Sequence, residues 1–178
     1  MIFNETKLKG AYTIEFEKRS DERGFFARAW CQREFAEHGL VDRLVQVNFS
    51  HNIKAGTLRG MHFQHAPYAE TKLVRCVRGA LYDVIVDLRP ASETFMQSVG
   101  VELTAENNRA LFVPEGFAHG FQTLVDATDA LYQVSEFYTP GAEGGLRYND
   151  AQFGIEWPLP VSVITTKDAG WPDYGVKE

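Results

Sequence analysis

Two histidines set out by a divided pattern are the first residues in this chain that could do chemistry. Gly56 is followed after five residues by His62, and Pro114-Glu115-Gly116-Phe117-Ala118-His119 supplies the second histidine. Completed by a further histidine and a glutamate, two such histidines would make a metal site. Here the slot two after His62 holds Gln64, and the stretch where the glutamate belongs reads Glu70-Thr71-Lys72. An amide is a poor ligand for a transition metal, and an ammonium repels one. The expectation is a pocket in which His62 and His119 stand as free imidazoles, available for proton transfer.

Other residues fit that chemistry. A lone histidine in a strand is more often a structural hydrogen-bonding group, but Arg59 and Gln64 flank His62 within one segment. Strict alternation puts Arg59 and His62 on opposite faces, so Gly60 must bend or bulge the strand if both reach one pocket. Lys72, at the start of a strand, is either a solvated lysine or a cation for a developing oxyanion. Tyr132 lies mid-strand, where packing is the usual role, and a phenol beside an enolate can also deliver a proton. Asp168, near the end of the chain, has the chemistry to orient His62 and stabilise its protonated form.

The elements that must position these groups are mostly strands. Leu44 to Ser50 alternates, with Val45, Val47 and Phe49 on one face and Gln46, Asn48 and Ser50 on the other. Leu73 to Val77 and Leu81 to Leu88, separated by Arg78-Gly79, read as a hairpin, and further strands are expected at 99–103, 110–113, 119–125 and 130–138. The expected helix runs from Cys31 to Leu40 with Phe35 and Leu40 on its apolar side. This texture predicts an all-β fold, a sandwich or barrel of jelly-roll type with short peripheral helices. Polar residues recur on single strand faces: Gln46 with Asn48, Tyr132 with Glu136 and Tyr138, His119 with Thr123. Each is either a solvated face or the lining of a barrel pocket. The segment from Tyr148 to Trp171 is expected to pack over the barrel.

With 178 residues and no linker or repeat, one domain over 1–178 is expected. A net charge of −6 without a basic run argues against non-specific nucleic-acid binding, though not against a nucleotide ligand. Cys31 and Cys76 form no CxxC motif. No apolar run reaches membrane-spanning length and Met1-Ile2-Phe3-Asn4-Glu5 opens no signal peptide, so no membrane contact and a cytoplasmic location are expected.

Taken in order, several segments resemble the dTDP-4-dehydrorhamnose 3,5-epimerase family of the cupin superfamily. They are Asp21-Glu22-Arg23-Gly24-Phe25-Phe26, Gln46-Val47-Asn48, Leu58-Arg59-Gly60-Met61-His62-Phe63-Gln64, Lys72-Leu73-Val74-Arg75, Val113 through Phe121, and Lys167-Asp168. The resemblance implies a cupin jelly roll, a homodimer, a nucleotide-sugar substrate, and a reaction needing no metal or cofactor. It implies that His62 is the base with Asp168 as its partner, that Tyr132 is the proton donor, and that Lys72 and Arg59 surround the sugar and its keto oxygen. Substrate contacts are implied for Arg23, Phe26, Arg28, Gln46, Asn48, His119, Glu143 and Lys167, with Tyr138 at the nucleotide end. The implied chemistry is proton abstraction beside a 4-keto group at carbons 3 and 5 of the sugar, then reprotonation on the opposite face. No Gly-rich dinucleotide fingerprint is present, in keeping with a reaction that transfers no hydride.

Four positions depart from the family pattern: Arg28 for a usual glutamate, Glu70 for a frequent glutamine, Gly144 for an arginine, and Tyr148 for a tryptophan. Arg28 and Glu70 either compensate each other or mark a different sugar or nucleotide. The competing readings are an epimerase inverting one carbon of a dTDP-, CDP- or GDP-linked keto sugar, a metal-dependent cupin enzyme, and a sugar-nucleotide binding module without catalysis.

Overall fold

A computed structural model describes residues 1–175, so the last three positions of the expected 1–178 unit lie outside the described residues. The chain opens with β1 (Ile2–Glu5) and β2 (Tyr12–Glu15), the short strands β3 (Arg19–Asp21) and β4 (Gly24–Phe26), and helix α1 (Gln32–Glu37). Longer strands follow: β5 (Gln46–Asn52), β6 (Leu58–Gln64), β7 (Lys72–Arg78) and β8 (Ala80–Asp87). After them come β9 (Ser98–Thr104), β10 (Ala110–Val113), β11 (Phe117–Thr123) and β12 (Thr128–Val134). A three-residue strand, β13 (Glu143–Gly145), and a single-turn helix, α2 (Thr166–Ala169), complete the set. No described helix is long and apolar enough to cross a membrane.

Two antiparallel sheets face each other as a sandwich, as the sequence texture predicts. The first has the order β1-β2-β10-β7-β12-β5, the second β13-β6-β11-β8-β9. From β5 to β8 the chain changes sheet at every step, and this overturns the expected hairpin between residues 73 and 88. β7 pairs with β10 and β12, whereas β8 pairs with β11 and β9. Gly79 turns the corner at φ +73°, and a Cβ there would lie 2.6 Å from the Thr128 hydroxyl. Both strands are largely buried and each needs neighbours on two edges, so long-range pairing overrides the local turn signal.

Between the sheets, Val74, Cys76, Leu81, Ile85, Leu103, Leu111, Phe117, Phe121 and Ala130 form the central core. Burying an aliphatic or aromatic side chain of this size stabilises by roughly 1.5–3 kcal/mol. That reserve lets the same inter-sheet space become polar at its other end. Helix α1 is too short to persist alone. Phe35, 1 % exposed, holds it against Phe3 and Phe112 on the outside of the first sheet. It is shorter than the expected 31–40 because the amides of His38 and Gly39 close back onto the carbonyls of Phe35 and Ala36.

The segment after Tyr148 packs as expected. Phe153, Ile155 and Trp157 cover Met61, Val84, Val86 and Ala118 on the outside of the second sheet. It is then pinned to the start of β6: the Gln122 amide exchanges two hydrogen bonds with the Leu159 backbone, and the Leu58 amide donates to the Val163 carbonyl. Those contacts deliver α2 to the inner end of β6.

β6 itself carries the irregularity that placing Arg59 and His62 together demands. Opposite β11, His62 pairs with His119 and Arg59 with Phe121, so two residues of β6 span the single Gly120. Gly60 sits there at φ +126°, next to a cis peptide to Met61, and a Cβ on Gly60 would lie 2.6 Å from the Gly120 Cα. Only glycine fits this approach. Gly60→Ala should lower the denaturant midpoint by the equivalent of about 3 kcal/mol or more at an unchanged slope, from backbone strain plus the clash. A parental midpoint in urea titration would show that the strand does not depend on this glycine.

Candidate active site

The polar end of the inter-sheet space is a cleft with two lobes. The first, about 380 Å³, is walled by Gln46 and Asn48 of β5, Gln64 of β6, Glu70, and Tyr138 and Glu143. The second, about 340 Å³, is walled by Ser50 and His51, Arg59, His119, Phe121 and Asp168. His62, Lys72 and Tyr132 line both lobes and form the waist between them. His62 belongs to the second sheet, Lys72 and Tyr132 to the first, so the imidazole and the phenol approach the waist from opposite walls.

Strand alternation explains most of the lining. On β5 the apolar residues Val47 and Phe49 turn outward, 60 % and 61 % exposed, while Gln46, Asn48 and Ser50 turn inward. The polar face lines the first lobe, while Phe49 and His51 from the outer face border the second. β12 stops at Val134, because the Ser135 amide and hydroxyl both bond to the Thr71 backbone. Tyr132, Glu136 and Tyr138 therefore do not share a strand face. Tyr132 points into the cleft, Tyr138 reaches its rim from the following loop, and the Glu136 carboxylate accepts from the Phe137 amide. Thr123 is structural: its hydroxyl donates to the Lys54 carbonyl and accepts from the Thr57 amide.

His62 is held by a carboxylate. Its Nε2 lies 2.8 Å from Asp168 Oδ1, and the other Asp168 oxygen accepts from the Gly60 amide at 3.2 Å. Asp168 is itself fixed at the first turn of α2, where its amide donates to the Thr165 hydroxyl. Burial alone would raise the Asp168 carboxyl, but the His62 hydrogen bond and charge, with the Gly60 amide and the Thr165 hydroxyl, bring it below its ordinary value. An ionised carboxylate only accepts, so the proton on that bond belongs to His62 Nε2, and Nδ1 keeps its lone pair. His119, directly across from His62, is paired in the same way to the fully buried Asp83 at 2.6 Å.

Three further pairs set the field. Lys72 and Glu70 lie 3.1 Å apart, and Lys167 meets Glu143 at 2.5 Å. The Arg59 Nε donates to Asn52 Oδ1. Burial raises the Tyr132 phenol above its ordinary value, Glu70 adds to the rise, and Arg59 opposes it. The phenol is a neutral proton donor at physiological pH. Burial would raise Glu143, but Lys167, with help from His62 and Tyr138, holds it low.

A metal does not suit this donor set. The Gln64 amide is spent on the backbone: it donates to the Tyr68 and Phe137 carbonyls and accepts from the Thr139 amide. Glu70 is engaged by Lys72, and each histidine already has its own carboxylate.

Of the residues singled out in the sequence, His62, Asp168, Tyr132, Lys72, Arg59 and His119 come together here with Gln46, Asn48, Tyr138 and Glu143. Lys167 joins through Glu143. Arg23, Phe26 and Arg28 do not reach this cleft within their own chain. Their hairpin, β3 with β4, pairs with neither large sheet, and Arg23 bonds to Asp21. Phe26 is 70 % exposed, and Arg28 pairs with Glu34 at 2.8 Å. Within one chain Arg28 and Glu70 therefore do not meet. Gly144 is explained by packing, since a Cβ there would meet the Phe63 ring at 2.5 Å. Asp83 and His51 were not singled out. Asp83 had a signal, a charge inside the apolar run 81–86, where a buried carboxylate needs a partner; His51, paired to Asp129, had none.

Comparison with known proteins agrees with the geometry. The family profile described as dTDP-4-dehydrorhamnose 3,5-epimerase matches residues 5–175. A dTDP-4-dehydrorhamnose 3,5-epimerase of Salmonella typhimurium is 44 % identical over 176 residues, 97 % of this chain and 94 % of the relative. The crystal structure of the Bacillus anthracis enzyme of that name, with TDP and PPi bound, superposes with a TM-score of 0.93 at 42 % identity, covering 97 % of this chain and 98 % of that one. A Legionella pneumophila dTDP-6-deoxy-D-glucose-3,5-epimerase in complex with dTDP-4-keto-L-rhamnose gives 0.89 at 39 % identity, covering 97 % and 92 %.

Asp168→Asn keeps the shape of the clamp but removes its charge. Turnover should fall by about 10²–10⁴-fold, the usual worth of a positioned acid–base group. The folded carboxyl lies below its unfolded value, so the stability it contributes is present above about pH 4 and is lost as pH falls through the folded value. The variant should thus lose stability at neutral pH and converge on the parent in acid. Unchanged kcat, or a stability difference independent of pH, would sink this assignment.

Proposed function

This chain belongs to the dTDP-4-dehydrorhamnose 3,5-epimerase family, and we propose that it inverts carbons 3 and 5 of a dTDP-linked 4-keto-6-deoxy sugar in the formation of dTDP-L-rhamnose. The observation that carries this reading is the waist of the cleft. A base with a free lone pair stands on one wall, a neutral phenol on the other, and an ammonium lies between the lobes.

His62 Nδ1 takes the hydrogen on carbon 3 or 5, and the electron pair of that C–H bond moves into the 4-keto group as an enolate. Lys72 donates a hydrogen bond to the enolate oxygen, where charge develops. Asp168 stabilises the imidazolium that forms. Tyr132 then gives its phenolic proton to the same carbon from the opposite face, the ketone re-forms, and the configuration is inverted. The same groups act at the second carbon after exchanging protons with solvent. Arg59 stands with Lys72 about the sugar and its keto oxygen, Gln46, Asn48, His119 and the Glu143–Lys167 pair contact the substrate, and Tyr138 lies at its nucleotide end.

We further propose that the working unit is a homodimer. The resemblance assigns Arg23, Phe26 and Arg28 to substrate, yet in their own chain they lie away from the cleft. The outer face of β5, with Val47 and Phe49, continues to Ile53 at 70 % exposed as an apolar strip open to a second copy. A hairpin lent across that contact supplies the missing groups. A cytoplasmic location is supported by two free cysteines, one of them, Cys76, pushed up to about 11 chiefly by burial.

Incubation with dTDP-4-keto-6-deoxyglucose in heavy water should place deuterium at carbons 3 and 5, read by NMR, and His62→Ala should abolish both signals. Label at one carbon would make the enzyme a single-site epimerase; no label would overturn the reading. Mixing His62→Ala with Arg23→Ala, each inactive alone, should restore roughly a quarter of the parent activity, because half of randomly mixed dimers are hybrids with one intact site. No recovery after exchange of subunits would place the hairpin's role within its own chain.

A further inference from the structure

Glu70, half of a buried ion pair in the lobe of the proton donor, is not used by the reaction as drawn. Lys72 and Glu70 lie 3.1 Å apart with side chains only 9 % and 13 % exposed, and both line the lobe that Tyr132 lines. A carboxylate this close to an ammonium that must serve an enolate is costly unless it does something, since it partly neutralises that cation. We infer that Glu70 is a positioning residue for this reaction, holding the Lys72 ammonium against one wall of the cleft and setting the charge beside the Tyr132 phenol. The inference rests on the proton-donor reading of Tyr132.

The other charged groups around the phenol are already spoken for. Asp168 is paired with His62, and Glu143 with Lys167. His119 is bound to Asp83, and His51 to Asp129. Among the described residues Arg59 has only the neutral Asn52 as its hydrogen-bonded partner, so no carboxylate pairs with its charge. Glu70 is the opposing charge: it favours the neutral phenol, while Arg59 favours the phenolate. Tyrosine donates a proton only while it holds one, and between turnovers it must recover the proton from solvent. A carboxylate next to it makes recovery favourable and keeps the donor loaded as pH rises.

The geometry also gives Glu70 a mechanical part. Lysine is a flexible point charge that can be held by a fixed acceptor. Lys72 opens β7 opposite Val134, and Glu70 lies two residues earlier, where the chain enters the sheet. The ammonium is therefore tethered from the entry of its own strand, and it still faces both lobes at the waist. Glu70 stands where the resemblance leads one to expect a frequent glutamine.

The test is titration of Tyr132 in protein carrying ring-labelled tyrosine, its NMR signal identified by its loss in Tyr132→Phe. In Glu70→Gln, loss of the carboxylate and unmasking of Lys72 act in the same direction, so the midpoint should move to lower pH. The basic limb of kcat should move with it, and the acid limb should stay in place. Lys72→Met removes the opposite charge and should move the midpoint up, which keeps the test alive if Glu70→Gln does not fold. Glu70→Asp, which retains the charge, should return the midpoint toward the parent. An unmoved midpoint in Glu70→Gln, or a downward one in Lys72→Met, overturns the inference. Parental turnover in Tyr132→Phe would instead overturn the donor reading, leaving the titration to judge Glu70 by itself.

Discussion

The His62 wall of the cleft depends on one carboxylate. Asp168 accepts from the His62 ring with one oxygen and from the Gly60 amide with the other. The first bond fixes which imidazole nitrogen faces the cavity. The second fixes the bulge that lets Arg59 and His62 look the same way. A group that ties the base to the backbone irregularity beneath it leaves little freedom to either. A neutral substitute could satisfy the same hydrogen bonds but not the charge, and the charge is what an imidazolium requires.

The sandwich supplies what a single sheet could not. A base and an acid on one sheet would present themselves to the same side of a flat substrate. In the proposed reaction His62 of β6 and Tyr132 of β12 enter the cleft from different sheets, so the two groups address opposite sides. Polar residues occupy one end of that space while the apolar core fills the other. The polar end remains tolerable because most of its charged groups are paired. Four histidine or lysine side chains there are matched to carboxylates at 2.5–3.1 Å.

Much of this was legible in the sequence, for identifiable reasons. Alternation with period two made Gln46 and Asn48 readable as one face, and the glycine between Arg59 and His62 announced the bulge. What alternation cannot supply is the identity of a strand's neighbours. The run 73–88 carries a turn signal at Gly79 that suits a hairpin and a sheet-to-sheet corner equally well, and only the burial of both strands on both faces decides. The end of β12 was hidden for a similar reason: Ser135 leaves the ladder to bond the Thr71 backbone, a contact between distant segments. The hairpin with Arg23, Phe26 and Arg28 carries a family motif, but no local pattern says which chain's cleft it serves.

The distance along the chain between the two halves of the clamp has a bearing on how the protein is made. His62 and Asp168 are separated by 106 residues. On a ribosome adding 5–20 residues per second, roughly 5–20 s pass between their syntheses. During that interval the strands that build the sandwich have been made, but the carboxylate that pairs with His62 has not. Shape can be approached gradually as the chain emerges; in the proposed reaction, competence arrives only when α2 docks. A nascent or shortened product could therefore resemble the finished enzyme in its barrel and still be chemically silent.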